Sequence, residues 1–294
     1  RHRGSSLAGL MVSLGLSLGI VLYALHLAAV SGADYARAEQ HALLQDQAAH
    51  GLERIATVLQ QVGHVDPALP MPARAARPPD GALRGLDDVA VPASSDGLAA
   101  ARHGNGGGSD ALAIRVVGDA SGRTRNCAGM PVPEAVDASD DRGASIFHVA
   151  DGPQGEPELR CKYRGDAGWS SQALAAGVAS FQLLYGIDSD SDGLPNDFVS
   201  ASRLQALAAG AGAAAASAWT RVVAVQVALL MRLPQPVPGM PRPAGFDLFG
   251  SAYGDLHAAD DPGARMPAEQ LQPGRLYRLF DAVIFLGNSL RPAT

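Results

Sequence analysis

Residues 5–33 contain no Asp, Glu, Lys or Arg, and Arg1 and Arg3 stand just before them. No other stretch restricts the fold of this chain as tightly. An apolar run longer than roughly 18 residues is a transmembrane-helix candidate, and basic residues on its N-terminal flank keep that end in the cytoplasm. The helical pattern then continues, because residues 34–62 contain no Pro. Leu44, Ala48, Leu52, Ile55, Leu59 and Val62 recur at steps of three and four and form one stripe of a helix. Gln45, Asp46, His50, Glu53 and Arg54 fall mostly on the other side. Gly63 and the Asp66-Pro67 pair supply the glycine and proline that end a helix. We therefore expect one helix over residues 5–62, membrane-spanning in residues 5–33 and amphipathic beyond. At about 1.5 Å per residue it extends somewhat under ~90 Å. A single domain does not need so long a rod; a filament subunit does.

Two simpler readings of the N-terminus compete. Val30-Ser31-Gly32-Ala33 offers small residues of the kind signal peptidase cuts after, but the apolar stretch exceeds the roughly 7–15 residues of a secretory h-region. A plain single-span anchor for an external domain would account for the apolar run. It does not account for Gly4 at the junction between the basic residues and that run.

Beyond the helix the pattern is β-rich. Residues 111–117, 145–149, 158–163, 178–185, 221–231 and 276–286 read as strands. In the fifth of these, Val223, Val225, Val227 and Leu229 share a face suited to cover the helix stripe. Residues 67–108 and 234–273 are dense in Pro and Gly and read as long surface loops, and residues 201–218 as a short Ala-rich helix or a connection. A helix followed by strands argues for an α+β fold. The expected organisation is a short N-terminal remnant (residues 1–4), the helix (residues 5–62) and one β-rich domain (residues 63–294).

The two cysteines, Cys127 and Cys161, both fall in the part expected outside the cytoplasm, where oxidising conditions favour a disulfide. Two unpaired buried thiols are the alternative. One motif carries pointed chemistry: Asp188, Asp190 and Asp192 alternate and are followed by Gly193. Alternate carboxylates can converge on a hard cation while the glycine permits a sharp turn, as in the first half of an EF-hand calcium loop. The Leu194 carbonyl and Asn196 or Asp197 would complete the shell. Val199 stands where the EF-hand has its bidentate Glu, so a solvated acidic turn is the competing reading. Ca2+ is the one cofactor the sequence suggests, and none is required.

Catalytic signatures are missing: there is no Gly-x-Ser-x-Gly, no His-Glu-x-x-His and no phosphate loop with Lys. Gly104–Gly108 is glycine-rich without a leading strand, so it reads as a loop. The formal net charge of −6 supplies no basic surface for nucleic acid. An enzyme is not expected.

The residues around Gly4, with Ser5-Ser6-Leu7-Ala8-Gly9 after it, resemble the class III signal of type IV prepilins. Phe181–Gly193, Trp219 with Arg221–Arg232, and Arg275–Asn288 are similar, in that order along the chain, to segments of the PilW-type minor pilins. The resemblance implies a pilin-like fold, with a long N-terminal helix packed on an antiparallel β-rich domain. It implies cleavage after Gly4 by a prepilin peptidase and methylation of the Ser5 amine. The first mature residue, normally Phe, is Ser5, and the fifth, normally Glu, is Gly9. An intramembrane carboxylate is costly and generally present to pair with something. In shaft pilins that Glu is thought to meet the neighbouring subunit's amine, which Gly9 cannot do. The resemblance therefore points to an initiating or tip subunit, held in the inner membrane with a cytoplasmic N-terminus and later exposed on the pilus. Its implied partners are other minor and major pilins. A minor pseudopilin of type II secretion, or a membrane-anchored calcium- or ligand-binding module that never polymerises, are the alternatives.

Overall fold

A computed structural model of the protein describes residues 7–64, 82–92, 97–98, 101–103, 108–119, 121–134, 141–165, 167–210, 218–237 and 239–288. The first element, α1 (Leu7–Leu59), is a single α-helix through both the apolar and the amphipathic stretches. Gly63, with φ of 76°, ends the turns that follow it, in the left-handed conformation that glycine adopts without penalty. Asp66 and Pro67 lie outside the described residues. The chain divides into two compact units, Arg1–Gln45 and Asp46–Thr294. In the first, Leu7–Ala28 is long and apolar enough to cross a membrane, and none of it is buried in the protein.

The second unit is built on two antiparallel sheets. The first is ordered β1 (Leu83–Leu86), β4 (Ala111–Arg115), β5 (Ala144–Asp151), β6 (Pro157–Gly165) and β7 (Gly168–Ala176). The second is ordered β13 (Tyr277–Phe285), β10 (Val222–Arg232), β8 (Val178–Ile187) and β9 (Asp197–Val199). The fold is therefore α+β, with antiparallel sheets following an apolar N-terminal helix. All six strands expected from apolar patterning are present as β4, β5, β6, β8, β10 and β13.

The last turns of α1 lie across both sheets. A Cβ added at Gly51 would stand 3.1 Å from Leu159 on β6 and 3.7 Å from Leu229 on β10, so only glycine allows this approach without displacement. Ala48, Ile55, Val58, Leu59 and Val62 are fully or almost fully buried around it. Leu52 sits at the margin of the stripe, half-buried. Beyond the helix, two remote segments hold its end. The Gln61 amide pairs with the Arg125 main chain in both directions, accepting from Arg125 N at 2.8 Å and donating to Arg125 O at 3.2 Å. Asn288, just past β13, donates to the carbonyls of Gln60 and Val62, which a helix end leaves without intrahelical partners.

The two Pro- and Gly-rich stretches are not merely loops. Residues 83–103 contain β1 and a small ladder of β2 (Val89–Ala90) with β3 (Arg102–His103). The part around Val89 and Val91 packs with Ala111. Residues 245–270 contain β11 (Gly245–Asp247) paired with β12 (Arg265–Pro267), and a short helix, α3 (Ser251–His257). Leu248 and Met266 from this stretch, with Leu271 just after it, pack on Ala228 and Leu230 of β10. The central strands β5, β8 and β10 are buried on both faces over most of their length, and one helix can cover only one face of a sheet. The excursions supply the other layer. Residues 201–218 likewise resolve into α2 (Ala201–Gly210), with residues 211–217 outside the described set. The first two main-chain N–H groups of α2 are capped from a distance by the Asp87 carboxylate.

Candidate functional site

The acidic loop leaves the end of β8 and returns as β9. Its base is closed on both sides: Asn196 N donates to Ile187 O at 2.8 Å, and Asp188 N donates to Arg221 O at 2.9 Å. Within it, Ser191 and Gly193 take φ of 74° and 87°, which turns the chain sharply twice. Those turns bring Asp188, Asp190 and Asp192 together, one carboxylate oxygen from each lying within 4.8 Å of the others. Asp188 is buried and the other two are exposed.

The main chain already supports these carboxylates. Asp188 accepts from Ser191 N and Gly193 N, and Asp192 accepts from Leu194 N. Three carboxylates at this spacing can present oxygen atoms to one hard cation. The donor set is all oxygen and all anionic, which suits Ca2+ and no soft metal.

The remaining expected ligands are arranged otherwise. Asn196 reaches the cluster through its amide nitrogen, which donates to Asp190 Oδ2 at 3.3 Å, while its Oδ1 accepts from Ser189. Asp197 is part of β9 and accepts from the adjacent Phe198 N. The Leu194 side chain is exposed beside the turn. A three-carboxylate cradle is thus present, and its Asn196 corner carries a donor.

Cys127 and Cys161 form a disulfide with Cα atoms 5.8 Å apart. It fastens the segment before β5 to the centre of β6, where both cysteines are fully buried. Gly4 and Ser5, the expected processing residues, lie outside the described residues. Gly9 lies within α1.

Three buried polar residues escape sequence reasoning, because nothing in their local pattern distinguishes them. Asp110 seals the edge of β8 that faces away from β10. Its N–H donates to Phe181 O, and its carboxylate accepts from Leu183 N and Asp88 N. Burial, with the Asp87 charge adding to it, pushes the Asp110 carboxyl well above the usual carboxylate range. Lys162 is buried on β6 and donates to the carbonyls of Pro92 at 2.8 Å and Gly97 at 3.1 Å, with its ammonium 5.4 Å from the centre of the Trp169 ring. Those bonds pin the 83–103 excursion to the first sheet. His148, on the neighbouring strand β5, has no partner in hydrogen-bond geometry at either ring nitrogen among the described residues. Burial lowers its pKa to about 4; the Val149 main chain pulls the other way, and the Lys162 and Arg160 charges each add a smaller push in the direction of burial.

No curated protein and no solved structure matches the chain. Residues 146–288 match the family of the type IV pilus-assembly protein W, PilW. That segment runs from β5 to the Asn288 that caps α1, and it contains the acidic loop and the three stretches whose order suggested the family. The N-terminal signal lies outside it. The PilW-type recognition of this chain rests on its C-terminal portion, from β5 onward, which matches the type IV pilus-assembly protein W family.

Proposed function

We propose that this protein is a structural minor pilin of the PilW type, acting in type IV pilus assembly as part of the initiating or tip complex. The observation that carries the reading is the PilW match over residues 146–288 on a chain whose α1 begins with an exposed apolar stretch, Leu7–Ala28. An exposed apolar helix of that length needs either lipid or the apolar core of a filament around it. In the inner membrane it anchors the subunit with its N-terminus cytoplasmic; after extraction into the pilus it packs among other pilin helices, and the β-rich unit faces outward. Gly9, in place of the usual Glu, supports the tip assignment, since a tip subunit has no neighbour on one side to supply a partner amine. The role is assembly, not catalysis.

Mass spectrometry of the mature chain tests this. Prepilin processing yields N-methyl-Ser5 as the first residue. A mature chain that starts upstream of Ser5, or at Asp34, would sink the pilin reading and leave a plain anchor or a secreted domain.

The convergence of Asp188, Asp190 and Asp192 supports a second, compatible reading, a Ca2+ site that rigidifies the loop between β8 and β9. Calorimetric titration of the purified chain should show saturable Ca2+ binding at or below millimolar concentration, lost in Asp190→Ala. Unchanged heats in that variant would leave only an acidic turn.

A further inference from the structure

Among the described residues, the β13 edge of the second sheet is free and is unlike the other strand edges. Natural sheets discourage edge-to-edge pairing with short strands, bulges, prolines or charged side chains. Edge strands β1 and β9 have four and three residues. Strand β7 is rich in Ser, Ala and Gly and meets β6 with a register shift. The far edge of β8 is sealed by Asp110. Strand β13, by contrast, pairs with β10 over nine consecutive residues without a shift, and it contains no Pro.

The pairing also determines which groups point outward. Leu286 N donates to Val223 O, and Leu233 N donates to Leu276 O, in register with the ladder at either end. The even-numbered residues of β13 therefore bond to β10, and the N–H and C=O groups of Tyr277, Leu279, Asp281, Val283 and Phe285 point to the open side. No described residue bonds to them from that side. The side chains of these same residues share one face, on which Val283 and Phe285 remain 43% and 52% exposed. Asp281 stands among them, exposed and with no cation within pairing distance among the described residues.

We infer that the β13 edge receives an extended segment of a different protein chain, added antiparallel or parallel to the sheet, with apolar residues against Val283 and Phe285 and a Lys or Arg beside Asp281. Added strands gain affinity from main-chain hydrogen bonds and specificity from alternate side chains. The charge argues against a second copy of this chain. The antiparallel self-pairing that sets Leu279 against Val283 and Tyr277 against Phe285 also sets Asp281 against Asp281, and like charges directly opposite are unfavourable. Only the identification of the partner as a neighbouring pilus subunit rests on the function proposed above.

The test uses the full-length chain in its native cells, with the photo-crosslinking residue p-benzoylphenylalanine at position 285 or, as an exposed control, at position 256 of α3. Position 285 should give an adduct whose crosslinked peptide maps to an extended segment of another chain with a Lys or Arg in reach of Asp281; position 256 should not. Val283→Pro removes an outward N–H while leaving the ladder to β10 intact, and Asp281→Lys reverses the charge. Each should reduce the adduct by about tenfold or more. Exchanging the partner's cation for Glu should restore the adduct in Asp281→Lys. If Val283→Pro fails to accumulate, the exposed Asp281 substitution carries the test alone. An adduct no stronger than at position 256, an adduct with a second copy only, or one indifferent to Asp281→Lys would overturn the inference. N-methyl-Ser5 in the same cells without the position 285 adduct sinks the edge and spares the pilin reading. The charge-dependent adduct on a chain lacking N-methyl-Ser5 does the reverse.

Discussion

Acidification should unfold this protein partly through one histidine. His148 is 1% exposed, and its folded pKa falls from 6.5 to about 4, chiefly because burial disfavours the imidazolium. A base with a depressed folded pKa binds fewer protons in the folded state than in the unfolded chain across the interval between the two values. Its contribution to stability is thus fully present above pH 6.5 and is lost as the pH falls toward 4. At about 1.36 kcal/mol per pKa unit, the interval is worth about 3 kcal/mol, a large part of the stability of an ordinary domain. The perturbation is His148→Leu, which keeps an apolar body of similar volume and removes the titrating group. Guanidinium unfolding of the full-length chain in a non-ionic detergent, followed by the fluorescence of Trp169 and Trp219, supplies the assay at fixed ionic strength. The native protein should lose about 3 kcal/mol relative to the variant between pH 7 and pH 4. Taking the difference cancels the carboxylates, which titrate in both proteins. A difference that stays flat over that range would refute the argument and mean that water or a partner reaches the ring.

Two further outcomes follow from packing and covalent structure. Replacing Cys127 and Cys161 together by Ala releases a loop with a sequence separation of 34 residues, and guanidinium unfolding should register a loss of about 4 kcal/mol on the chain-entropy estimate. A loss below about 1 kcal/mol would show that the unfolded chain gains little freedom from the cut. Gly85→Ala should cost about 1–3 kcal/mol by overpacking, because its Cβ would overlap Tyr185 Oη and the Tyr185 ring is held against Trp219 at 5.0 Å. Since Tyr185 Oη has no hydrogen-bond partner among the described residues, Tyr185→Phe in the Gly85→Ala background should recover part of the loss, the ring Cζ still standing 2.5 Å from the added Cβ. No recovery in thermal melts would place the strain elsewhere.

Elements with a strong apolar period were legible from residues alone, and elements made by their surroundings were not. The repeat along α1 and the apolar strands β4, β5, β6, β8, β10 and β13 each bury side chains at a fixed spacing, so the period is written in the sequence. Strand β7, Gly168–Ala176, has small and polar residues over most of its length and is a strand because β6 offers it a ladder. The short strands and α3 of the Pro- and Gly-rich stretches exist because the outer faces of two sheets need cover, a demand that appears only once the sheets are formed. The acidic loop was legible as a motif. The donor that Asn196 turns toward Asp190 depended on how the loop base closed.

The sequence by itself determined a long helix with an apolar first half, an α+β order of elements, a PilW-type C-terminal portion and the pair of cysteines able to bond. These are local or compositional properties, decided by neighbours a few residues away. Only the tertiary structure decided that Gly51 lies between two sheets, that Asp110 and Lys162 tie remote segments to strand edges and carbonyls, and that β13 keeps an edge to which no described residue bonds. Those outcomes depend on residues far apart in the sequence meeting in space, and buried polar groups and sheet edges acquire their meaning only from the partners that folding brings to them.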